Sequence, residues 1–79
     1  MEKVKRVRVE SGISQKSLAQ VLGMKPQNYS NLEAGRLVPK RIEQLKTDAI
    51  KFLKPHLVNK LLNAQSEVEK LESLLIQIN

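Results

Sequence analysis

The chain has 79 residues, a net charge of +6 at pH 7 and no cysteine, and 41% of its residues are hydrophobic. This length fits one small domain with at most an appendage, whose modest core needs close helix packing or a partner subunit. Without cysteine, a disulfide framework and a zinc module are excluded. No apolar run approaches the roughly 20 residues of a membrane span, and the charged N-terminus lacks a signal-peptide core. We therefore expect a cytoplasmic protein that does not associate with a membrane.

The positive charge is concentrated in the first two thirds of the chain. Residues 1–54 hold twelve basic side chains against five acidic ones, a net of +7, whereas residues 55–79 hold two against three, a net of −1. This division is typical of a polyanion-binding domain followed by a separate assembly element, although a solvated basic surface has the same balance. We expect two parts, residues 1–54 and residues 55–79.

The first element, residues 2–11, has a mixed pattern. Val4 and Val7 share a helical face, but three valines weaken a helix and the alternation of Val7 with Val9 is strand-like. The residues alone leave helix and strand open.

The next stretch, residues 13–35, contains two short amphipathic segments that meet at Gly23. Ser14 is a good N-cap for the first segment, and Pro26 suits the first helical position of the second. Gly23 suits the left-handed conformation in which many helices end. The apolar residues at helical spacing are Leu18, Val21 and Leu22, then Tyr29 and Leu32. Two short helices joined by a glycine turn form a helix-turn-helix.

The detailed order of residues in this stretch resembles one family. The motif Gly12-Ile-Ser-Gln-x-x-Leu-Ala-x-x-Leu-Gly-Met24, then Tyr29-Ser-x-Leu-Glu-x-Gly35 and a proline four residues on, is similar to phage Cro/repressor-type regulators, also called xenobiotic-response-element-like. The resemblance covers about residues 3–54. It implies an all-α, lambda-repressor-like bundle of four to five helices, with a first helix that ends at Gly12.

The resemblance also implies roles for residues outside the apolar pattern. An arginine four residues before the glycine pairs with the glutamate of the second motif helix, which here predicts a partly buried Arg8–Glu33 ion pair. The family uses the glutamine at Gln15, together with the helix N-terminus, against a DNA phosphate, and Lys16 adds a charge beside it.

The second motif helix, about residues 26–34, is expected to enter the major groove of DNA. With Tyr29 and Leu32 inward, its outward face carries Lys25, Gln27, Asn28, Ser30 and Asn31. The resemblance places Pro26, Gln27, Asn28 and Asn31 at base-facing positions. Amide side chains can donate and accept together at adenine, whereas lysine suits guanine or a phosphate. Lys25 replaces the family's Ser or Thr cap, which weakens the cap.

The following loop is basic and leads to a fourth helix. Arg36, Lys40 and Arg41 are expected along the duplex backbone, where they position the protein without specifying sequence. The fourth helix is expected from about residue 40 to residue 54, with a possible break at Thr47 and Asp48.

The last part, after Pro55, contains no glycine or proline and carries an apolar seam with spacings of 4 and 3. Its positions are Leu57, Leu61, Ala64, Val68, Leu71, Leu75 and Ile78. This a/d pattern predicts a long C-terminal dimerisation helix in coiled-coil style, in which Leu57, Leu61, Val68, Leu71, Leu75 and Ile78 make the contact. Two alternatives remain open: the helix folds back onto residues 1–54, or it breaks near Gln65 before a capping box at Ser66 and Glu69. Parallel and antiparallel pairing are both possible.

Catalytic patterns are missing. His56, the sole histidine, has no metal-ligand companion, and we find no nucleophile–base pair or phosphate-binding glycine loop. We expect neither an enzyme nor a metal or cofactor.

The leading hypothesis is a sequence-specific DNA-binding transcriptional regulator, a repressor that acts as a homodimer on an inverted repeat of double-stranded DNA. One alternative is an antitoxin that regulates its own operon and binds a small partner protein through residues 55–79. Another is a helical adaptor that binds protein rather than DNA.

Overall fold

A computed structural model describes residues 1–64 and 66–78 of the chain. Over those residues it contains five helices and no strand: α1 (Glu2–Glu10), α2 (Gln15–Val21), α3 (Pro26–Glu33), α4 (Ile42–Leu62) and α5 (Val68–Ile78). The expected all-α bundle of four to five helices is confirmed. None of these helices is both long and apolar enough to cross a membrane.

The first element is a helix, as the resemblance implies. Val4 and Val7, which fall three residues apart, are both buried, whereas Val9 is 54% exposed. Burial therefore follows the helical period rather than the alternation of a strand, and tertiary packing outweighs the low helix propensity of valine.

The helix-turn-helix is built from a capped start and a glycine stop. Ser14 Oγ accepts a hydrogen bond from the backbone N–H of Ser17 at 3.1 Å, so it caps α2. Gly23 follows α2 with a φ of +68°, and the N–H of Met24 donates to the carbonyl of Ala19 at 2.8 Å. This is a Schellman motif, which ends α2 and turns the chain into α3.

The fourth helix passes through Pro55, so the helix end expected at residue 54 is wrong. Leu45, Ala49, Leu53 and Leu57 repeat every four residues and are all buried. An interior proline costs about 3 kcal/mol, and fully burying each leucine on this stripe returns about 1.5–3 kcal/mol. The stripe continues across Pro55 and holds the helix together. The division of the chain into residues 1–54 and 55–79 stays a prediction, but its boundary lies inside α4.

No break occurs at the two polar residues inside α4. Thr47 Oγ1 donates to the carbonyl of Glu43 at 2.9 Å, and Asp48 accepts from Gln44 Nε2 at 2.9 Å. The Gln44–Asp48 bond joins side chains four apart and supports the helix. The Thr47 hydroxyl is satisfied by a carbonyl of the same helix, and the helix continues past it.

The prediction of one long C-terminal helix is also wrong, because α4 ends at Leu62 and α5 starts at Val68. Asn63 follows α4 and its Nδ2 donates back to the carbonyl of Asn59 at 2.8 Å. The chain then folds back, and α5 packs on α4 within the same molecule. A break in this region was one of the two alternatives; Gln65, the residue near which it was placed, lies outside the described residues.

The residues predicted to form a dimer seam lie mostly within the chain's own core. Leu57 and Leu71 are fully buried, Leu61, Leu75 and Ile78 are partly buried against the core, and Val68 is 36% exposed. A two-stranded a/d seam needs one continuous helix in each chain. Because α4 and α5 are separate helices, the prediction of a continuous seam is wrong. The apolar spacing is satisfied by intramolecular packing.

Polar contacts also tie α5 to α1. Lys70 Nζ lies 2.8 Å from a Glu10 carboxylate oxygen, and Lys3 Nζ donates to the carbonyl of Gln77 at 3.1 Å. The core draws on all five helices and consists of Val4, Val7, Leu18, Ala19, Leu22, Tyr29, Leu32, Leu45, Ala49, Leu53, Leu57, Leu71 and Leu74. Tyr29 and Leu32 anchor α3 in this core, and its opposite face lies outward.

Candidate nucleic-acid interface

The position of α3 is set by a buried polar cluster at its C-terminal end. Arg8 of α1 donates from Nη2 to Glu33 Oε1 at 2.9 Å and from Nε to Glu33 Oε2 at 3.0 Å. Tyr29 Oη donates to the same carboxylate at 2.5 Å, and Gln15 Nε2 donates to it at 3.0 Å. The cluster of Arg8, Gln15, Tyr29 and Glu33 therefore joins α1, α2 and α3 through one carboxylate.

The resemblance implied the Arg8–Glu33 pair, and the structure contains it in a buried, bidentate form. The side chains of Arg8 and Glu33 are only 11% and 2% exposed. Arg8 Nη1 also donates to the carbonyl of Ile13 at 2.9 Å, which fixes the connection between α1 and α2. Bidentate arginine–carboxylate pairs are strong and directional, so this pair sets the crossing of α1 and α3.

The cluster keeps Glu33 ionised. Burial by itself raises the pKa of Glu33, but hydrogen bonds from Arg8, Tyr29 and Gln15 outweigh that effect, and the pKa lies below its usual value of 4.5. The pKa of Arg8 is raised, chiefly by its hydrogen bond to Glu33. Burial and the bond to Glu33 raise the pKa of Tyr29, so its hydroxyl stays protonated and donates.

Gln15 has a role that the sequence did not predict. It was expected to face a DNA phosphate, but its Nε2 is engaged by Glu33 and the residue is half-buried. The contact between α2 and α3 depends on the tertiary crossing of the two helices, and no sequence spacing signals it. The phosphate role of Gln15 stays a prediction.

The outward face of α3 is polar and accessible at its N-terminal end. Lys25, Pro26, Gln27 and Asn28 are exposed, and Ser30 and Asn31 are half-buried. Pro26 occupies the first turn, and the Lys25 side chain makes no capping bond. The backbone N–H groups of this turn are therefore not capped by a side chain. All six of these residues, which were predicted to face DNA and are called the reader residues, lie on or just before α3.

The basic residues assigned to the DNA backbone are also accessible. Lys16, Arg36, Lys40 and Arg41 are all exposed. Between residues 11 and 42 the sequence holds five basic residues and a single acid, Glu33. Because Glu33 is buried and paired with Arg8, that segment presents positive charge and no exposed carboxylate. Such a surface attracts a polyanion.

A contact between the loop and α3 was missed from the sequence. Arg36 Nε donates to Asn31 Oδ1 at 3.1 Å, and Gln27 Nε2 donates to the same oxygen at 3.5 Å. The spacing of Gln27 and Asn31, four residues on one helix, is visible in the sequence. The contact from Arg36 depends on the turn at Gly35, which has a φ of +82° and brings the loop back over α3.

Metal-binding groups are lacking in the described ranges, where no three His, Asp or Glu side chains are placed to hold an ion. His56 is exposed, and its Nδ1 lies 3.0 Å from the carbonyl of Phe52. That contact lies on α4 and involves neither α3 nor the loop after it.

Two short helices joined by a glycine turn, with the second held by a buried ion pair and its amide-rich face outward, define a helix-turn-helix DNA-binding domain. A helix-turn-helix family model matches residues 4–45, which is more than half of the chain. The chain belongs to this family, of the phage Cro/repressor type, and is a DNA-binding transcriptional regulator. Searches of the curated proteins and of the solved structures each found no significant match.

Proposed function

We propose that this regulator is a sequence-specific repressor that binds an inverted-repeat operator as a homodimer. In each protomer α3 lies in the major groove, with Gln27, Asn28 and Asn31 against base edges. Lys25, Arg36, Lys40 and Arg41 contact phosphates on either side. Repression follows from occupation of a promoter by the bound protein.

The observation that carries the proposal is the amide face of α3 between exposed basic residues. Amide side chains can donate and accept at once, which suits the paired donor and acceptor of adenine in the major groove. Basic side chains around them supply affinity for any duplex. The buried state of Glu33 supports the same interpretation, since a free carboxylate there would repel the phosphates.

Two features support the dimer: the small size of α3 and the two-fold symmetry of an inverted-repeat site. One α3 has only eight residues, and a helix-turn-helix dimer gains specificity from two half-sites about 34 Å apart. The core takes up most of the apolar residues of α4 and α5, but Leu62 and Ile76 remain 77% and 76% exposed. We propose that these two side chains contribute to the dimer contact.

The DNA proposal is tested by selecting bound sites from random duplexes, followed by titration at several salt concentrations. We expect one enriched inverted repeat and a log–log salt slope near −0.9 for each phosphate contacted. Gln27→Ala should lose about 1–3 kcal/mol on the selected site only, whereas Lys40→Ala should weaken all duplexes alike. An equal loss on every duplex for Gln27→Ala would contradict its role at a base.

The dimer is tested separately by sedimentation of the wild type and of Leu62→Lys and Ile76→Lys. A dimer that dissociates in either variant supports the assigned contact, and Val21→Lys, at a 47% exposed position on α2, is the matched control. A dimer unchanged by both variants would exclude Leu62 and Ile76 from the contact, and a monomer on DNA would exclude the dimer.

A further inference from the structure

The side chain of Asn31 is held in one orientation by the loop that follows α3. Its Oδ1 accepts from Arg36 Nε at 3.1 Å and, more weakly, from Gln27 Nε2 at 3.5 Å. The backbone of the two residues is joined as well, because the N–H of Arg36 donates to the carbonyl of Asn31 at 2.9 Å. Arg36 therefore lies beside Asn31 through both main chain and side chain.

The contact shows which terminal atom of the Asn31 side chain is the oxygen and which is the nitrogen. An arginine guanidinium has only donors, so the atom that faces Arg36 Nε must be the amide oxygen. The oxygen has two lone pairs, of which one accepts from Arg36 Nε and the other lies towards Gln27 Nε2, so the groups of the Asn31 amide left for DNA are its two N–H donors. Gln27 uses one N–H towards Asn31 and keeps its own Oε1 and a second N–H.

We propose that Arg36 is a positioning residue for base recognition, and that it makes Asn31 a donor-only reader; this inference rests on the proposed function. Asn31 then favours guanine, whose N7 and O6 are both acceptors, or O4 of thymine, over adenine, whose N7 acceptor stands beside the N6 donor. Gln27 can still accept from N6 and donate to N7 of adenine. Arg36 thereby separates the preferences of two amides that would otherwise read the same base.

The contrasting possibility is that Arg36 supplies only positive charge to a phosphate. The two roles are separable, because a phosphate contact needs charge whereas the contact to Asn31 needs a donor at Nε. Lysine keeps the charge but has a methylene group at the position of Nε. Arg36→Lys therefore removes the positioning contact and keeps the electrostatic one.

The experiment is site selection from random duplexes, with salt titrations on the selected site, for wild type, Arg36→Lys, Asn31→Ala and Arg6→Lys. Asn31→Ala identifies the base pair that Asn31 reads. At that base pair we expect Arg36→Lys to reduce the wild-type preference by about fivefold or more, with an unchanged salt slope. Arg6→Lys is the matched control, since Arg6 is exposed on α1 and has no assigned DNA contact, and it should keep the preference. Circular dichroism checks that each variant is folded.

Two results would overturn the inference. One is a wild-type base preference in Arg36→Lys at the position lost in Asn31→Ala. The other is an Asn31→Ala variant that keeps every preference. A wild type that selects no sequence at all would instead overturn the proposed function, and so the two failures are distinguishable.

Discussion

Replacing Arg8 by methionine removes the guanidinium that pairs with Glu33 while it keeps an unbranched apolar side chain. Glu33 is only 8% exposed and would keep hydrogen bonds from Tyr29 and Gln15 alone. Removing one partner of a buried pair costs about 3–5 kcal/mol, and because two donors remain we expect about 3 kcal/mol. For a chain of this length the whole free energy of unfolding is about 4–12 kcal/mol. The variant should therefore melt about 12–24 °C lower than the wild type.

The pH dependence of the loss shows whether charge is its cause. In the wild type the pKa of Glu33 is lowered from 4.5, so its contribution is fully present above that value and is lost as the pH falls through the folded-state pKa. In Arg8→Met the lowering effect of Arg8 is lost while burial remains, so we expect the pKa of Glu33 to lie above its wild-type value. As the pH falls, protonation of Glu33 removes the unpaired charge in the variant. The difference in unfolding free energy between the two proteins therefore narrows.

The assay is urea unfolding followed by far-ultraviolet circular dichroism at about pH 7 and about pH 3.5, on either side of the ordinary glutamate pKa. The double variant Arg8→Met/Glu33→Gln is the control, because it removes both charges. It should be more stable than Arg8→Met at neutral pH, since no unpaired buried carboxylate remains. A gap between wild type and Arg8→Met that is equal at both pH values would refute the electrostatic reasoning.

Three further outcomes are expected from the packing and the helix ends. Leu71→Ala should cost about 2–5 kcal/mol in urea unfolding because Leu71 is fully buried, whereas Val38→Ala, at a 71% exposed position, should change stability by less than about 0.5 kcal/mol. Equal effects would contradict the docking of α5. Lys25→Ser supplies the missing cap of α3 and should raise the unfolding free energy by about 0.5–1 kcal/mol. The same substitution should lower the DNA affinity measured by titration calorimetry. A variant that is no more stable than the wild type would show that Lys25 is already a neutral cap. Gly23→Ala places a β-carbon at a φ of +68° and should cost about 1–2 kcal/mol in thermal unfolding, and an unchanged melting temperature would show that the turn relaxes.

The helix-turn-helix was predictable because its signals are local. Ser14, Gly23 and Pro26 each act on the backbone of their own turn, and the structure places all three at the ends of helices. The Arg8–Glu33 pair spans 25 residues and came from the resemblance, since no local rule joins α1 to α3.

The C-terminal part was mispredicted because periodicity defines an apolar face without defining what covers it. The spacing of Leu57 and Leu71 fits a second chain and fits the chain's own core equally well, and the structure buries both internally. The same limit applies at Pro55, where a local penalty is offset by tertiary burial. The contacts of Gln15 and Arg36 also depend on how helices and loops cross, which spacing does not encode.

The most direct test of DNA binding by the outward face of α3 is an NMR titration of the labelled protein with its selected duplex. The largest shifts should fall on the backbone and side-chain amides of Gln27, Asn28 and Asn31, and α5 should change little. Shifts confined to α5 and the adjoining part of α4, with the three amides unchanged, would contradict the account.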